Sequence, residues 1–223
     1  MDFKDKELII FDFDGTLIDS NPDLTQALNK MLTHYDLEPI TLEEASLYIG
    51  NGAKKLVERG LNHRLHPDEI TEALFNEAFD FFIKAYGEVV CDKTYLYPGV
   101  VETLQYLEKK GYDMTICTNK PFEFIEPILD TLSVKHFFKA WVGANSLPKQ
   151  KPDPMPLLHL AETMNRDIEK SIMVGDSKND ILAAQNAKME SIGVSYGYNY
   201  DKDIADYNQT KVIDNFAELQ KLL

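Results

Sequence analysis

Residues 8–16 read Leu-Ile-Ile-Phe-Asp-Phe-Asp-Gly-Thr. The apolar run Leu8-Ile9-Ile10 reads as a buried strand that delivers two carboxylates, Asp12 and Asp14, to its end. Side chains alternate faces along a strand, so an extended Asp-Phe-Asp aims both carboxylates the same way. Like charges that close ionise together only with a cation between them. Gly15 supplies the sharp exit that follows, and Thr16 is placed to cap the next element. The pattern is that of a metal site with one carboxylate as nucleophile and another as proton carrier.

The rest of the chain fits a sheet around that strand. Strand patterns at Leu8–Phe13, Tyr112–Thr118, Ala140–Val142, Ser171–Gly175, Ser191–Val194 and Lys211–Ile213 alternate with helical ones. Alternation of this kind predicts an α/β fold with a parallel sheet. Pro98-Gly99 opens one helix, with Gly111 as its C-cap. Pro121 sits near the start of the next, Ser177 caps a third, and the last runs from Asn215 to the end of the chain. Trp141 reads as a core residue.

One stretch breaks the alternation. Between Ser20 and Asp92 the pattern is helical throughout. Asn21-Pro22 starts one helix and Thr41-Leu42-Glu43-Glu44 is a capping box for a second. Gly50-Asn51-Gly52 is a tight turn before a third, and Pro67-Asp68-Glu69 opens a fourth. That fourth helix carries Phe75, Phe79, Phe82 and Tyr86 at helical spacing, a stripe that reads as the core of a small bundle, with a ligand-pocket lining as the alternative. The predicted organisation is a discontinuous core, residues 1–19 and 93–223, with an all-helical cap, residues 20–92, inserted after the first strand. A unit joined beside a site in this way is suited to act as a lid.

Three later segments belong with the first. Thr118-Asn119-Lys120 ends a strand, where a hydroxyl and an amide suit phosphate oxygens. Lys151, in Lys151-Pro152-Asp153-Pro154, reads as a fixed cation that balances carboxylates and a phosphoryl group. In Val174-Gly175-Asp176-Ser177-Lys178-Asn179-Asp180, Asp176 falls at a strand tip where a metal ligand is wanted. Asp180 is one turn on, placed to hold a ligand or Lys151. Each of these has a plain structural alternative, such as helix capping or a surface lysine; together, at the carboxyl ends of parallel strands, they form one site.

This ordered set (Asp-x-Asp-Gly-Thr, then Thr, then Lys, then Gly-Asp-x-x-x-Asp) resembles the haloacid dehalogenase superfamily. The resemblance implies a Rossmann-like core with a helical cap inserted after the first motif. Gly50-Asn51-Gly52-Ala53, Leu96-Tyr97-Pro98-Gly99-Val100, Thr118-Asn119-Lys120-Pro121 and Tyr196-Gly197-Tyr198-Asn199-Tyr200 are similar to segments of the phosphoglycolate phosphatases within it. Phe13 stands where many relatives have Leu. The resemblance implies Asp12 as nucleophile, Asp14 as general acid and base, and Mg²⁺ held by Asp12, the Asp14 main-chain carbonyl and Asp176. It gives Gly15, Thr118, Asn119 and Lys151 to the phosphoryl oxygens, and Asp180 with Ser177 to the surrounding support. The cap turn, Gly50, Asn51 and Gly52 with Lys54, is the expected anchor of the leaving group's carboxylate.

Composition narrows the partners. A formal charge of −14, from 37 acidic against 23 basic residues, disfavours nucleic acid and anionic membranes. The segment Met1–Glu7 is charged and shows no signal-peptide pattern, and only Cys91 and Cys117 carry thiols. The expectation is a reduced cytoplasmic enzyme acting on a small-molecule phosphate ester, monomer or homodimer. Other readings of the same motifs are a pyrophosphatase, a sugar phosphatase, a sugar-phosphate mutase and, in a different class, a non-enzymatic binding module.

Overall fold

The structure is a computed structural model and describes residues 3–198 and 203–223. In chain order the elements are β1 (Leu8–Phe11), β2 (Ile18–Asp19), α1 (Asn21–His34), α2 (Leu42–Ser46), α3 (Ala53–Asn62), α4 (Glu72–Val89) and β3 (Tyr95–Leu96). There follow α5 (Val100–Lys110), β4 (Asp113–Pro121), α6 (Ile125–Thr131), β5 (Ala140–Ala144), α7 (Met155–Thr163), β6 (Ser171–Gly175), α8 (Lys178–Ala187), β7 (Glu190–Val194), β8 (Lys211–Ile213) and α9 (Leu219–Leu222). Six strands form one parallel sheet in the order β5-β4-β1-β6-β7-β8. β1 lies between β4 and β6, with Leu8 level with Asp113 on one side and Ser171 on the other.

β1 shows why the sheet is covered on both faces. Ile9 and Phe11 join one apolar cluster, while Leu8 and Ile10 join another with Met173, Leu157 and Leu160. Alternate residues of a strand face opposite ways, so each face needs its own layer of helices. The larger cluster continues from the sheet into the helical cap through Phe13, Leu28, Met31 and Phe82. At roughly 1.5–3 kcal/mol for each fully buried large side chain, that continuity gives the cap an apolar contact with the core.

The four helices α1–α4 follow one another with no strand among them, as the sequence pattern predicts. The capping box forms: Glu44 N–H donates to Thr41 Oγ1 at 3.1 Å and Thr41 N–H to Glu44 Oε2 at 2.7 Å. The chain leaves the sheet and returns to it through β2 and β3, which pair antiparallel, Ile18 with Leu96. Asp23, fully buried on α1, accepts from the amides of Lys93 and Thr94 and from Thr94 Oγ1 at 2.6 Å. These contacts pin the two crossings side by side.

Several local expectations need correction. β1 stops at Phe11, because the chain turns at once: Leu17 and Ile18 N–H both donate to the Phe13 carbonyl. Thr16 caps no helix; its hydroxyl donates to Asp176 instead, and Ser20 stands at the N-cap of α1. β4 runs on through Pro121, so α6 opens only at Ile125, after a short 3₁₀ turn. The final helical stretch is a 3₁₀ turn, Phe216–Glu218, followed by α9. Trp141 lies on the sheet's edge strand and is only half-buried. Cys91 and Cys117 are both free. Asn199 and Tyr200 lie outside the described residues. Among those described, no helix is long and apolar enough to cross a membrane.

Candidate active site

The carboxyl ends of β1, β4 and β6 meet at one edge of the sheet, on either side of the point where the strand order reverses. Asp12 follows β1 directly; its N–H still donates to the Val174 carbonyl of β6 at 2.8 Å. Its Oδ1 accepts from Phe13 N–H at 2.7 Å and pairs with Lys151 Nζ at 2.9 Å. Lys151 reaches it from the loop before α7, and its side chain is 2% exposed. The same ammonium contacts Asp180 Oδ1 at 2.5 Å and the Cys117 carbonyl at 2.5 Å. Its three donors therefore have three partners. Burial opposes the Lys151 charge, but Asp12 and Asp180 outweigh it and hold its pKa above the ordinary value.

Asp12, Asp176 and Asp180 bring carboxylate oxygens within 4.8 Å of one another, all three buried. At an effective dielectric of about 20, each such pair repels by roughly 3 kcal/mol or more. Burial, and then Asp180, push the Asp12 pKa up to about 7. Burial, then Asp12 and Asp180, raise that of Asp176 well above the usual carboxylate range. With one ammonium among three carboxylates, the cluster carries a formal charge of −2 when ionised. An oxygen-rich, doubly negative cleft of this kind fits a hard divalent cation.

Supports fix each carboxylate. Asp176 Oδ1 accepts from Thr16 Oγ1 at 3.0 Å and Oδ2 from Tyr198 N–H at 2.7 Å. Asp180 Oδ2 accepts from both the amide and the hydroxyl of Ser177, at 2.9 and 2.7 Å. Ser177 thus donates to Asp180 at the start of α8. Gly15 has φ +87°, and a Cβ there would fall 2.3 Å from Asp176 Oδ2. Only glycine lets the first turn lie against Asp176.

Asp14 is placed differently from Asp12. It lies beyond the strand end, in the turn, and its carboxylate faces Ser20 Oγ at 2.5 Å and Lys120 Nζ at 2.9 Å. It is not in the acidic cluster. Thr118 Oγ1 accepts from Lys120 N–H at 3.1 Å. Asn119 Nδ2 donates to the Lys151 carbonyl at 3.0 Å, while its Oδ1 is buried with no partner. That orphan marks a surface built to meet something else.

Asp12, Asp14, Thr118, Asn119 and Lys120 form the floor of a partly open cavity of about 40 Å³. The cap forms its roof with Gly50, Gly52, Ala53, Leu56, Phe82 and Tyr86. The cap turn is tied down by Asn179 Nδ2, which donates to the Gly50 carbonyl at 3.2 Å. Of the other cap residues singled out in the sequence, Asn51 accepts from Arg59 at 2.7 Å. Lys54 is exposed and lies over the Phe79 ring at 5.7 Å. Neither lines the cavity. The aromatic stripe serves both of its readings, since Phe82 and Tyr86 are fully buried in the bundle and also face the cavity.

Residues 9–194 match the family model of haloacid dehalogenase-like hydrolases. The chain belongs to that family. A phosphoglycolate phosphatase from Psychrobacter arcticus is 43% identical over 217 residues, which cover 96% of this chain and 94% of the relative. A second, from Colwellia psychrerythraea, is 41% identical and covers 98% and 97%. The crystal structure of a predicted phosphoglycolate phosphatase from Haemophilus somnus 129PT superposes with a TM-score of 0.92. It is 37% identical, with 97% of each chain covered. The protein is therefore a haloacid dehalogenase-like phosphatase, with the parallel core and helical cap of that fold.

Four contributors to this haloacid dehalogenase-like site escaped the sequence reading. Lys120 has no role in the sequence reading, yet it lies buried one residue before the end of β4. Ser20 stands at the N-cap of α1, but its hydroxyl caps nothing there and donates to Asp14. Thr16 and Tyr198 act from opposite ends of the chain, on Asp176. No local pattern reports such a pairing.

Proposed function

We propose that this phosphatase is a Mg²⁺-dependent phosphomonoesterase that acts through an aspartyl-phosphate, with 2-phosphoglycolate as substrate and glycolate and phosphate as products. The observation that carries the reading is a buried carboxylate, Asp12, held by Lys151 on the floor of a small cavity whose second carboxylate, Asp14, has separate partners. Two carboxylates in different surroundings suit two different roles.

Asp12 attacks phosphorus as the ester oxygen leaves, and Asp14 gives that oxygen its proton. Asp14 then takes a proton from the water that hydrolyses the acyl phosphate, which restores Asp12. Thr118, Asn119 and Lys151, with the Gly15 turn, hold the phosphoryl oxygens. Asp180 and Ser177 fix Lys151 and the start of α8. Asp12, Asp176 and the Asp14 main-chain carbonyl would hold Mg²⁺, which supplies charge neutralisation between the nucleophile and a phosphate dianion. Uncatalysed phosphate-monoester hydrolysis is slow enough to require a barrier reduction of about 20 kcal/mol or more. No one residue provides that; nucleophile, acid, cation and exclusion of water act together.

The helical insert, residues 20–92, serves as the lid over the core formed by residues 1–19 and 93–223. Its apolar roof of Leu56, Phe82 and Tyr86 limits the leaving group to a small one. The names of relatives about 40% identical over nearly the whole chain support glycolate as that group.

Phosphate release from 2-phosphoglycolate, pyrophosphate, glucose phosphates and nucleoside monophosphates tests this, with Mg²⁺ and with EDTA. A lead for 2-phosphoglycolate of tenfold or more in kcat/KM, about 1.4 kcal/mol of transition-state discrimination, is expected, with loss of activity in EDTA. A metal-dependent profile that peaks on another ester keeps the mechanism and rejects the substrate.

A further inference from the structure

Lys151 sits on the nucleophile's side of the site, in contact with Asp12, Asp180 and a main-chain carbonyl. Lys120 is the second buried ammonium at the cavity, and it is differently employed. Its side chain is 2% exposed, its single ion pair is to Asp14 at 2.9 Å, and its Nζ lies 4.8 Å from the centroid of the Tyr86 ring. Asp14 already has the Ser20 hydroxyl at 2.5 Å on the same oxygen, so the lysine is not its only donor. The Tyr86 hydroxyl, on a residue 1% exposed, is buried, and the Lys120 charge is the polar group that acts on it most strongly. Both residues line the cavity. Asp14 takes one of the three ammonium donors, so Lys120 has capacity left for a second anion in the cavity, with the Tyr86 hydroxyl beside it.

We propose that Lys120, assisted by the Tyr86 hydroxyl, is the residue that selects a leaving group bearing a carboxylate next to the ester oxygen. This rests on the phosphatase reading given above. Asp14 must touch the leaving oxygen, and Lys120 touches Asp14. A carboxylate two bonds from that oxygen therefore comes within reach of the same ammonium, which has donors for both. A longer leaving group would carry its charge past Lys120 into the apolar roof at Leu56 and Phe82. Lys54, exposed and outside the cavity lining, takes no part.

The test compares 2-phosphoglycolate with its neutral isostere 2-phosphoglycolamide on the Mg²⁺-loaded enzyme, and repeats the pair on Lys120→Met and Tyr86→Phe. In the unsubstituted enzyme the acid is expected to lead by about 100-fold or more in kcat/KM, the scale at which a site built for one polar group rejects an analogue that lacks it. Lys120→Met should bring the two within about threefold, with the loss falling mainly on the KM of the acid. Tyr86→Phe should shrink the ratio three- to tenfold. Equal losses on both substrates in Lys120→Met would mean a structural role and overturn the proposal. Should Lys120→Met not fold, Tyr86→Phe decides, and an unchanged ratio there overturns it. A preference for the acid that survives both substitutions rejects the role of Lys120 and leaves the phosphoglycolate reading standing. An unsubstituted enzyme that hydrolyses acid and amide equally rejects both.

Discussion

Asp12 Oδ1 holds the Phe13 amide and the Lys151 ammonium at once, at 2.7 and 2.9 Å. An asparagine in its place keeps the shape and can keep both contacts through its amide oxygen. What it loses is the nucleophile and one of the three mutually repelling charges. Asp12→Asn should therefore lower kcat by roughly 10³-fold or more, while the melting temperature of the metal-free protein holds or rises. Steady-state kinetics beside a thermal scan checks both. A large drop in melting temperature would mean that the ion pair with Lys151 matters more than relief of the repulsion. At this scale the sequence spoke clearly wherever a motif concentrates its charges: Asp12, Asp176, Asp180 and Lys151 do meet. It was silent on partnerships made by the fold alone, such as Ser20 with Asp14 or the Tyr198 amide with Asp176. Lys54, whose place near a turn suggested a site residue, does not line the cavity.

The turn after β1 is the element on which the site depends. Gly15 enters it at φ +87°, with Asp176 so close that a methyl group would lie 2.3 Å from Oδ2. Asp176 has little freedom to yield, being held by Thr16 and by the Tyr198 amide. Gly15→Ala combines an unfavourable backbone conformation with a clash against a fixed carboxylate. It should cost more than about 1 kcal/mol, which is roughly 2–4 °C in melting temperature per kcal/mol for a chain this long. It should also reduce kcat/KM, by displacing Asp176 or the Asp14 carbonyl. Calorimetry and kinetics on the purified variant measure the two effects; unchanged activity would show that the turn can shift without moving the site. Elements with strong signals were legible, including the Thr41 capping box and the buried runs of β1 and β6. Their ends were not. Asp12–Phe13 looks like strand and is the start of a turn, while the strand pattern that ends near Thr118 runs on to Pro121, which pairs with Ala144 of β5. Hydrogen bonds to distant strands decide both cases, and those depend on the assembled sheet.

At the scale of the molecule, alternation of strand and helix, broken once by helices alone, was enough to foresee a parallel sheet with a helical insert. It did not reveal that one apolar cluster runs through both, or that residues of cap and core line one cavity. Burial of the acidic cluster has a thermodynamic consequence. Burial and the neighbouring carboxylate raise the Asp12 pKa from 3.8 to about 7, and Asp176 moves in the same direction. A carboxyl group whose pKa is raised by folding favours the folded state while it is protonated. That contribution is fully present below 3.8 and is lost as the pH climbs toward about 7. In EDTA the protein should therefore lose thermal stability between about pH 5 and pH 8. A divalent cation takes the place of the proton, and it binds best where no proton competes. The rise in melting temperature on adding Mg²⁺ should accordingly be small near pH 5 and large near pH 8. Asp12→Asn, with one fewer carboxylate to titrate, should flatten that dependence. Thermal scans of both proteins across this range, with Mg²⁺ and with EDTA, measure the difference directly. If the Mg²⁺ increment is the same at both ends, the carboxylates are ionised throughout, and Lys151 alone suffices to hold their charge.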